Sequence, residues 1–240
     1  MSKTSPFNFR YFDVVIALFV AVLITSNVAS SAKIVDLKFS ISGIRLAFDG
    51  GTLLFPVAYV LGDVLTEVYG FRAARRAIWT GFIALSLSAV LFFTLKLLPG
   101  EESWEIHAGT EAFNAILGGM STGGIVIASL LAYLAGEFSN SVVLSFLKVF
   151  MGGRAFYVRA IGSSLIGEFL DTLVFVSIAS FVGVFGWELF AKLVITNYLL
   201  KITIEILVFP FTFFITRKLK KVEDLDIFDI NVKLNPFGRN

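Results

Sequence analysis

Residues 56–70 read Pro56-Val57-Ala58-Tyr59-Val60-Leu61-Gly62-Asp63-Val64-Leu65-Thr66-Glu67-Val68-Tyr69-Gly70. Apart from Gly62, Asp63, Thr66 and Glu67, the run is apolar. Asp63 and Glu67 are four apart and share one face of a helix. The apolar stretch, Gly51 to Tyr69, has about the ~20 residues a bilayer crossing needs. Burying a carboxylate at the centre of such a helix costs roughly 2.5–3.5 kcal/mol on insertion scales, so acids there normally face a cavity or a partner.

The rest of the chain supports a membrane setting. Of 240 residues, 57% are hydrophobic and 16% charged, with 27 Phe. Mean hydropathy is +0.85. A soluble domain of this size cannot hide that much apolar surface. Further spans are predicted at Asp13–Ala32, Ala77–Leu98, Ala115–Ala135, Val158–Val184 and Leu189–Ile215. The Val142–Phe150 stretch is too short to span and reads as an extension of the fourth helix or an interfacial piece. The fold class is therefore an all-α integral membrane protein with six transmembrane helices. Ser30-Ser31-Ala32 has the small-residue pattern of a signal-peptidase site. Cleavage there would leave five spans, and the polar Thr25-Ser26-Asn27 argues for a retained first helix.

Basic residues orient the spans. With the N-terminus in the cytoplasm, fourteen Lys and Arg fall inside, among them Lys3, Arg10, Arg72, Arg75, Arg76, Lys148, Arg154, Arg159 and Arg239; five fall outside and Lys201 lies within a span. Both termini are thus expected in the cytoplasm of an inner-membrane protein. The domain reading is a transporter domain over 1–216 and a cytoplasmic tail over 217–240. The tail has no apolar periodicity and is expected to carry little structure.

Short echoes relate the two halves: Ser26-Asn27 with Ser139-Asn140, and Gly62-Asp63 with Gly167-Glu168. Three spans per half would place these in two inverted repeats, a layout that puts the substrate site at the repeat interface.

Ionisable groups within the spans cluster. Glu168 and Asp171 share a face of the fifth helix, and Asn197, Lys201 and Glu205 form a stripe on the sixth. Thr66 and Thr172 sit beside the acids. Lys201 and Glu205 are spaced to pair with each other, and Asp63 and Glu67 could reach Arg72, Arg75 or Arg76. Four acids on two helices facing one lysine still exceed what helix pairing requires, which points to a polar internal cavity. A carboxylate accepts two hydrogen bonds side by side. A guanine-like edge offers two parallel N–H donors, and Tyr59, Tyr69, Phe169, Phe175 and Tyr198 are candidate stacking rings. A cationic amine or protons would suit the same acids. Residue chemistry alone therefore stops at a small polar or cationic solute.

Other classes are excluded by composition. There is no cysteine, hence no disulfide or thiolate metal site; the one histidine, His107, lies in a charged loop; the net charge of +2 gives no reason to expect nucleic acid. Neither a GxxxxGK[ST] phosphate loop nor an HExxH zinc motif occurs. No cofactor, metal or catalytic residue is expected.

The stretch Pro56–Gly70 followed by Arg72, Arg75 and Arg76 resembles the signature region of the bacterial queuosine-precursor transporters, a family earlier grouped as vitamin-uptake transporters. Thr25-Ser26-Asn27, Gly167-Glu168-Phe169-Leu170-Asp171-Thr172 and Asn197-Tyr198-Leu199-Leu200-Lys201 resemble it too, so the likeness runs from about residue 12 to residue 216. The acidic loop around Glu101–Glu111 and the tail lie outside the pattern. The resemblance implies import of 7-cyano-7-deazaguanine or 7-aminomethyl-7-deazaguanine. It also implies that Asn27, Asp63, Glu67, Glu168, Asp171 and Lys201 line the pathway. Added to the stripe, this gives a substrate site of Asn27, Asp63, Thr66, Glu67, Glu168, Asp171, Asn197, Lys201 and Glu205. The expected partners are a deazapurine and the lipid bilayer, with a homo-oligomer or an energy-coupling module allowed. The alternative function is the substrate-binding subunit of an energy-coupling transporter, for which Ala17-x-x-x-Ala21 could dock a partner.

Overall fold

The computed structural model describes residues 9–41, 44–184 and 186–238. Lys3 and Arg239, used above for orientation, lie outside the described residues. The chain runs α1 (Phe12–Ala32), β1 (Ile34–Ile41), β2 (Ile44–Asp49), a 3₁₀ turn (Gly50–Leu53), α2 (Phe55–Tyr69), α3 (Phe71–Leu97), α4 (Glu102–His107), α5 (Gly109–Ser121), α6 (Gly123–Phe150), α7 (Phe156–Phe181), a second 3₁₀ turn (Trp187–Leu189) and α8 (Phe190–Glu223).

Five segments are long and apolar enough to cross a membrane: Phe12–Ala32, Phe71–Leu97, Gly109–Phe150, Phe156–Phe181 and Trp187–Glu223. Their outer faces carry bare apolar side chains such as Leu87, Val90 and Leu91 on α3, and Leu207, Phe211 and Phe214 on α8. The expected second span is different. Its helix, α2, has 15 residues. At ~1.5 Å per residue that is about 22 Å, short of a ~30 Å hydrocarbon core. Almost all of α2 is buried, enclosed by α1, α3, α6 and α8. That enclosure explains why its sequence is apolar on nearly every side.

The all-α class holds for the bundle, and the connection between α1 and α2 adds one antiparallel hairpin, β1 with β2. Its cause is legible in Asp36-Leu37-Lys38-Phe39-Ser40-Ile41, where polar and apolar residues alternate with the period of a strand. The fourth span is not Ala115–Ala135, which straddles a break at Thr122; α6 begins at Gly123 and absorbs the whole Val142–Phe150 stretch. Helix α3 lies against α1, α2, α5 and α6, and α8 lies against α7 and α2.

Glycine sets two close approaches. Gly70 joins α2 to α3 with φ +79°, a conformation that L side chains rarely adopt, and a Cβ there would lie 2.8 Å from Ile227. Gly119 on α5 donates its N–H to Ser31 at the end of α1 (2.9 Å). In the polar loop after α3, the Ser103 hydroxyl and then the Trp104 amide hydrogen-bond to Glu101, which caps α4. They hold its carboxyl below the usual carboxylate range.

The segment after α8 is ordered, contrary to expectation. It folds back across the basic end of the bundle. Trp79 donates to the Pro236 carbonyl (3.0 Å), and its ring packs 5.7 Å from that of Phe237. Asp229, 8% exposed, accepts from the Phe71 amide (2.8 Å) and the Ser145 hydroxyl (2.6 Å). Gly70, at the N-cap of α3, has no side chain to cap the helix, so Asp229 supplies the anion that a helix N-terminus favours. Asp229→Ala should leave two buried donors unsatisfied and lower stability by about 1–3 kcal/mol. Thermal unfolding in detergent should show the loss and limited proteolysis should cut the released tail; a wild-type melting curve and cleavage pattern would contradict the docking.

Candidate functional site

The polar residues inside the bundle form two layers. The first lies at the basic end, around Glu67. Arg159 on α7 donates Nη1 to Glu67 Oε2 (2.6 Å) and Nη2 to Oε1 (3.0 Å). Lys220 on α8 donates to Oε1 (2.6 Å). Lys148 on α6 lies 3.8 Å from Oε1 and donates to the Glu67 carbonyl (2.6 Å) and the Ile227 carbonyl (2.7 Å). Asp226 closes the group, 2.6 Å from Lys148 and 2.8 Å from Lys220. Burial pushes the Asp226 carboxyl up, but its hydrogen bonds from Lys148 and Lys220 outweigh that and hold it below its ordinary value. Glu67 and Arg159 are both fully buried. Glu67 therefore draws its cations from three distant helices and none from Arg72, Arg75 or Arg76. Of those, Arg75 donates to the Asn235 carbonyl (3.3 Å) and Arg76 stands over the Phe12 ring. Tyr69 belongs to this end as well, donating to Glu223 (2.7 Å).

The second layer lies deeper. Asp63, Glu137, Glu168 and Glu205 are all buried there, with Asn140. Asn140 donates Nδ2 to Asp63 Oδ1 (2.9 Å). The Ser164 hydroxyl donates to Glu205 Oε1. Lys201 pairs with Asp171 across α7 and α8, and not with Glu205 on its own helix. Thr66 bonds to the Gly62 carbonyl and to Ser141, each at 3.0 Å. Among the described residues Asp63, Glu137 and Glu205 form no ion pair. Among the buried atoms without a hydrogen-bond partner, five belong to this layer: Glu137 Oε2, Glu168 Oε2, Glu205 Oε2, Asn140 Oδ1 and Thr172 Oγ1.

Glycines bring the layer together. A Cβ on Gly136 would lie 2.7 Å from that of Asp171, and one on Gly167 would lie 2.8 Å from that of Asn140, so α6 and α7 touch backbone to backbone. Gly62 on α2 leaves room for Glu137, whose Oε2 would be 3.0 Å from a Cβ placed there.

Phe55, Pro56, Tyr59, Glu168, Lys201 and Ile204 line a narrow crevice with a cavity volume of about 10 Å³. That is room for one water, not for a heterocycle. Phe169 and Tyr198 form an edge-to-face pair nearby, 5.7 Å between centroids. Of the other expected residues, Asn27 is half-buried on α1 and donates to its own helix at the Leu23 carbonyl (2.8 Å). Asn197 is half-buried on α8, one turn from Lys201.

Four participants were missed in the sequence. Lys148 and Arg159 count as loop charges by the positive-inside rule. Glu137 and Asn140 fall beyond a span that ends at Ala135. The available signal was the pattern itself: Gly136-Glu137 repeats the glycine–acid pairing of Gly62-Asp63 and Gly167-Glu168. The spacing Gly-x-Ser-x-Gly occurs at Gly119-Met120-Ser121-Thr122-Gly123. It lies on a helix–helix break, not after a strand, and Ser121 points its hydroxyl at the Gly118 carbonyl (3.4 Å), so it makes no nucleophile elbow.

A family model described as "Putative vitamin uptake transporter" matches residues 49–215. The "Probable queuosine precursor transporter" of Bacillus subtilis is 26% identical over 165 residues, covering 68% of this chain and 69% of the relative. The protein of that name from Haemophilus influenzae is 27% identical over 161 residues, covering 66% and 64%. The "Queuosine precursor transporter" of Escherichia coli is 26% identical over 184 residues, covering 76% and 77%. None of these names is that of an energy-coupling subunit. No solved structure matches. The family match ends before the docked tail.

Removing one partner of a saturated buried pair costs about 3–5 kcal/mol. Arg159→Met should therefore deplete the protein from membranes or lower its melting temperature sharply, and Glu67→Gln should do the same, since buried Arg159 would lose its anion and Lys148 and Lys220 would keep only Asp226. Accumulation and thermal stability equal to wild type in both variants would show that Glu67 has no structural role.

Proposed function

The chain belongs to the family of queuosine-precursor transporters whose model is described as "Putative vitamin uptake transporter", and on that premise we propose that it imports 7-cyano-7-deazaguanine or 7-aminomethyl-7-deazaguanine. The observation that carries the reading is the set of buried acceptors without donors. Glu168 Oε2, Glu205 Oε2, Glu137 Oε2 and Asn140 Oδ1 lack partners in one layer. A buried acceptor left alone costs about 1–3 kcal/mol. A flat solute whose edge presents several N–H donors would satisfy them together.

Asp63, Glu168 and Glu205 are the acceptors of the substrate edge, with Thr66 one turn on in the same helix. Lys201 lines the crevice, held by Asp171, and Tyr59 supplies its aromatic wall. Glu67 acts as a closure at the basic end and does not contact substrate. The crevice is too small for a purine, so the substrate enters a more open arrangement of the same helices, as in alternating access.

Six crossings complete the reading. The Gly50–Leu53 turn and α2 together supply the sixth, shielded from lipid by four neighbours, where an irregular backbone is tolerated. Both termini and the docked tail then face the cytoplasm of the inner membrane. The paired motifs Gly62-Asp63 and Gly167-Glu168, in the same order in each half, support an inverted-repeat origin of the two halves.

Cells unable to make the deazapurine, supplied with labelled 7-cyano-7-deazaguanine, should take it up and form queuosine in tRNA only when this protein is present. Asp63→Asn and Glu168→Gln should each abolish uptake with normal amounts of protein in the membrane. Wild-type transport by both variants would make the acids structural and sink the site.

A further inference from the structure

The proposed site draws on α2, α7 and α8, yet the layer has a fourth wall. Glu137 on α6 is 5% exposed, and its Oε2 has no hydrogen-bond partner. Asn140, one turn on, is fully buried and spends its Nδ2 on Asp63, leaving its Oδ1 without a partner. Two buried acceptors on one face of α6 therefore lie next to Asp63 without a protein donor. The space for Glu137 comes from Gly62: a methyl group there would sit 3.0 Å from Oε2 and about as far from nothing else. The motif Gly62-Asp63 thus carries one acid and makes room for another from the facing helix.

We infer that Glu137 is a specificity-determining residue, whose carboxylate accepts the paired N–H donors of the substrate's amino-bearing edge. This rests on the transport reading above and names a residue outside it. The chemistry follows from the donor count. Four of the five unpartnered atoms in the layer are carboxylate or amide oxygens, which accept, and the fifth, Thr172 Oγ1, can accept or donate, so the ligand that fits is rich in donors and poor in anionic groups. A carboxylate grips two adjacent N–H groups in a bidentate contact, as acids and amides do at base edges. Glu137 is therefore placed to distinguish a heterocycle with both a ring N–H and an exocyclic amine from its analogue lacking that amine.

Two variants probe this on the purified full-length protein and in cells. Glu137→Gln keeps the side-chain shape but replaces one acceptor oxygen by a donor. Gly62→Ala keeps Glu137 and crowds its carboxylate; the contact is with the far end of a flexible side chain, and alanine favours a helix over glycine, so the fold should tolerate it. The probes are 7-cyano-7-deazaguanine and the same compound without its 2-amino group, measured by equilibrium binding and by competition for uptake. The wild type should prefer the amino-bearing compound by roughly tenfold or more, the scale of a bidentate base-edge contact. Glu137→Gln should bring that ratio close to unity, and Gly62→Ala should lower it in the same direction with a raised KM. A purely structural role for Glu137 would change protein amount or affinity for both compounds alike. Should Glu137→Gln fail to accumulate, Gly62→Ala decides by the same ratio. Wild-type selectivity in a folded variant overturns the inference and leaves the transport reading standing. Failure of the wild type to bind either compound removes both.

Discussion

The arrangement of the whole bundle depends on one saturated ionic group, the bidentate contact between Arg159 and Glu67 with Lys148, Lys220 and Asp226 around it. A charge pair taken out of water is favourable only when its remaining donors and acceptors are met. Here they are met: Arg159 also donates Nε to the Arg154 carbonyl (2.9 Å) and Nη2 to that of Gly153 (3.2 Å). The result ties α2, α6, α7, α8 and the tail at a single level. It fixes how far along its axis each helix sits, and therefore which residues meet in the layer beyond.

That layer has the opposite character. Asp63 is one helical turn from Glu67, about 6 Å along the axis at ~1.5 Å per residue. Over that distance the surroundings change from three cations to none paired with Asp63. Sequence spacing shows that the two acids share a face, but not that they sit at different depths, because Lys148, Arg159 and Lys220 come from residues 81, 92 and 153 positions away. The same limit explains Lys201. Its spacing from Glu205 suits an intrahelical pair, but Asp171 on the facing helix offers a partner, and Glu205 meets Ser164 and Glu168 on α7.

Much of the helical layout was legible, since long apolar runs are the strongest signal a sequence carries. The ends were less so. The tail docks through backbone carbonyls at Ile227, Asn235 and Pro236 and through the carboxylates of Asp226 and Asp229, and none of these leaves an apolar period to read. The break at Thr122 was hidden because apolar residues continue on both sides of it. With the start of α6 at Gly123 and its end at Phe150, Glu137 and Asn140 lie in the middle of a helix, not at or beyond the end of the fourth span. Glycine was the better guide to the site. Gly62, Gly136 and Gly167 each precede an acid; Gly136 and Gly167 stand where α6 and α7 come closer than a methyl group would allow, and Gly62 stands where a methyl group would crowd Glu137.

Saturation at one level and want of donors at the next are connected. Buried acceptors without partners work against folding, and a bundle holding several of them must be stabilised elsewhere. The glycine contact between α6 and α7 supplies close packing at that depth, and the ionic group supplies a fixed frame below it. Neither depends on a ligand. Contacts of α6 with α7 run backbone to backbone and resist separation, whereas α8 reaches α7 there through Lys201–Asp171 and Ser164–Glu205, side-chain contacts that can exchange one partner for another. A solute bringing its own donors competes with the second kind of contact and not with the first. The site is thus built so that the part a substrate can replace lies beside the part it cannot disturb.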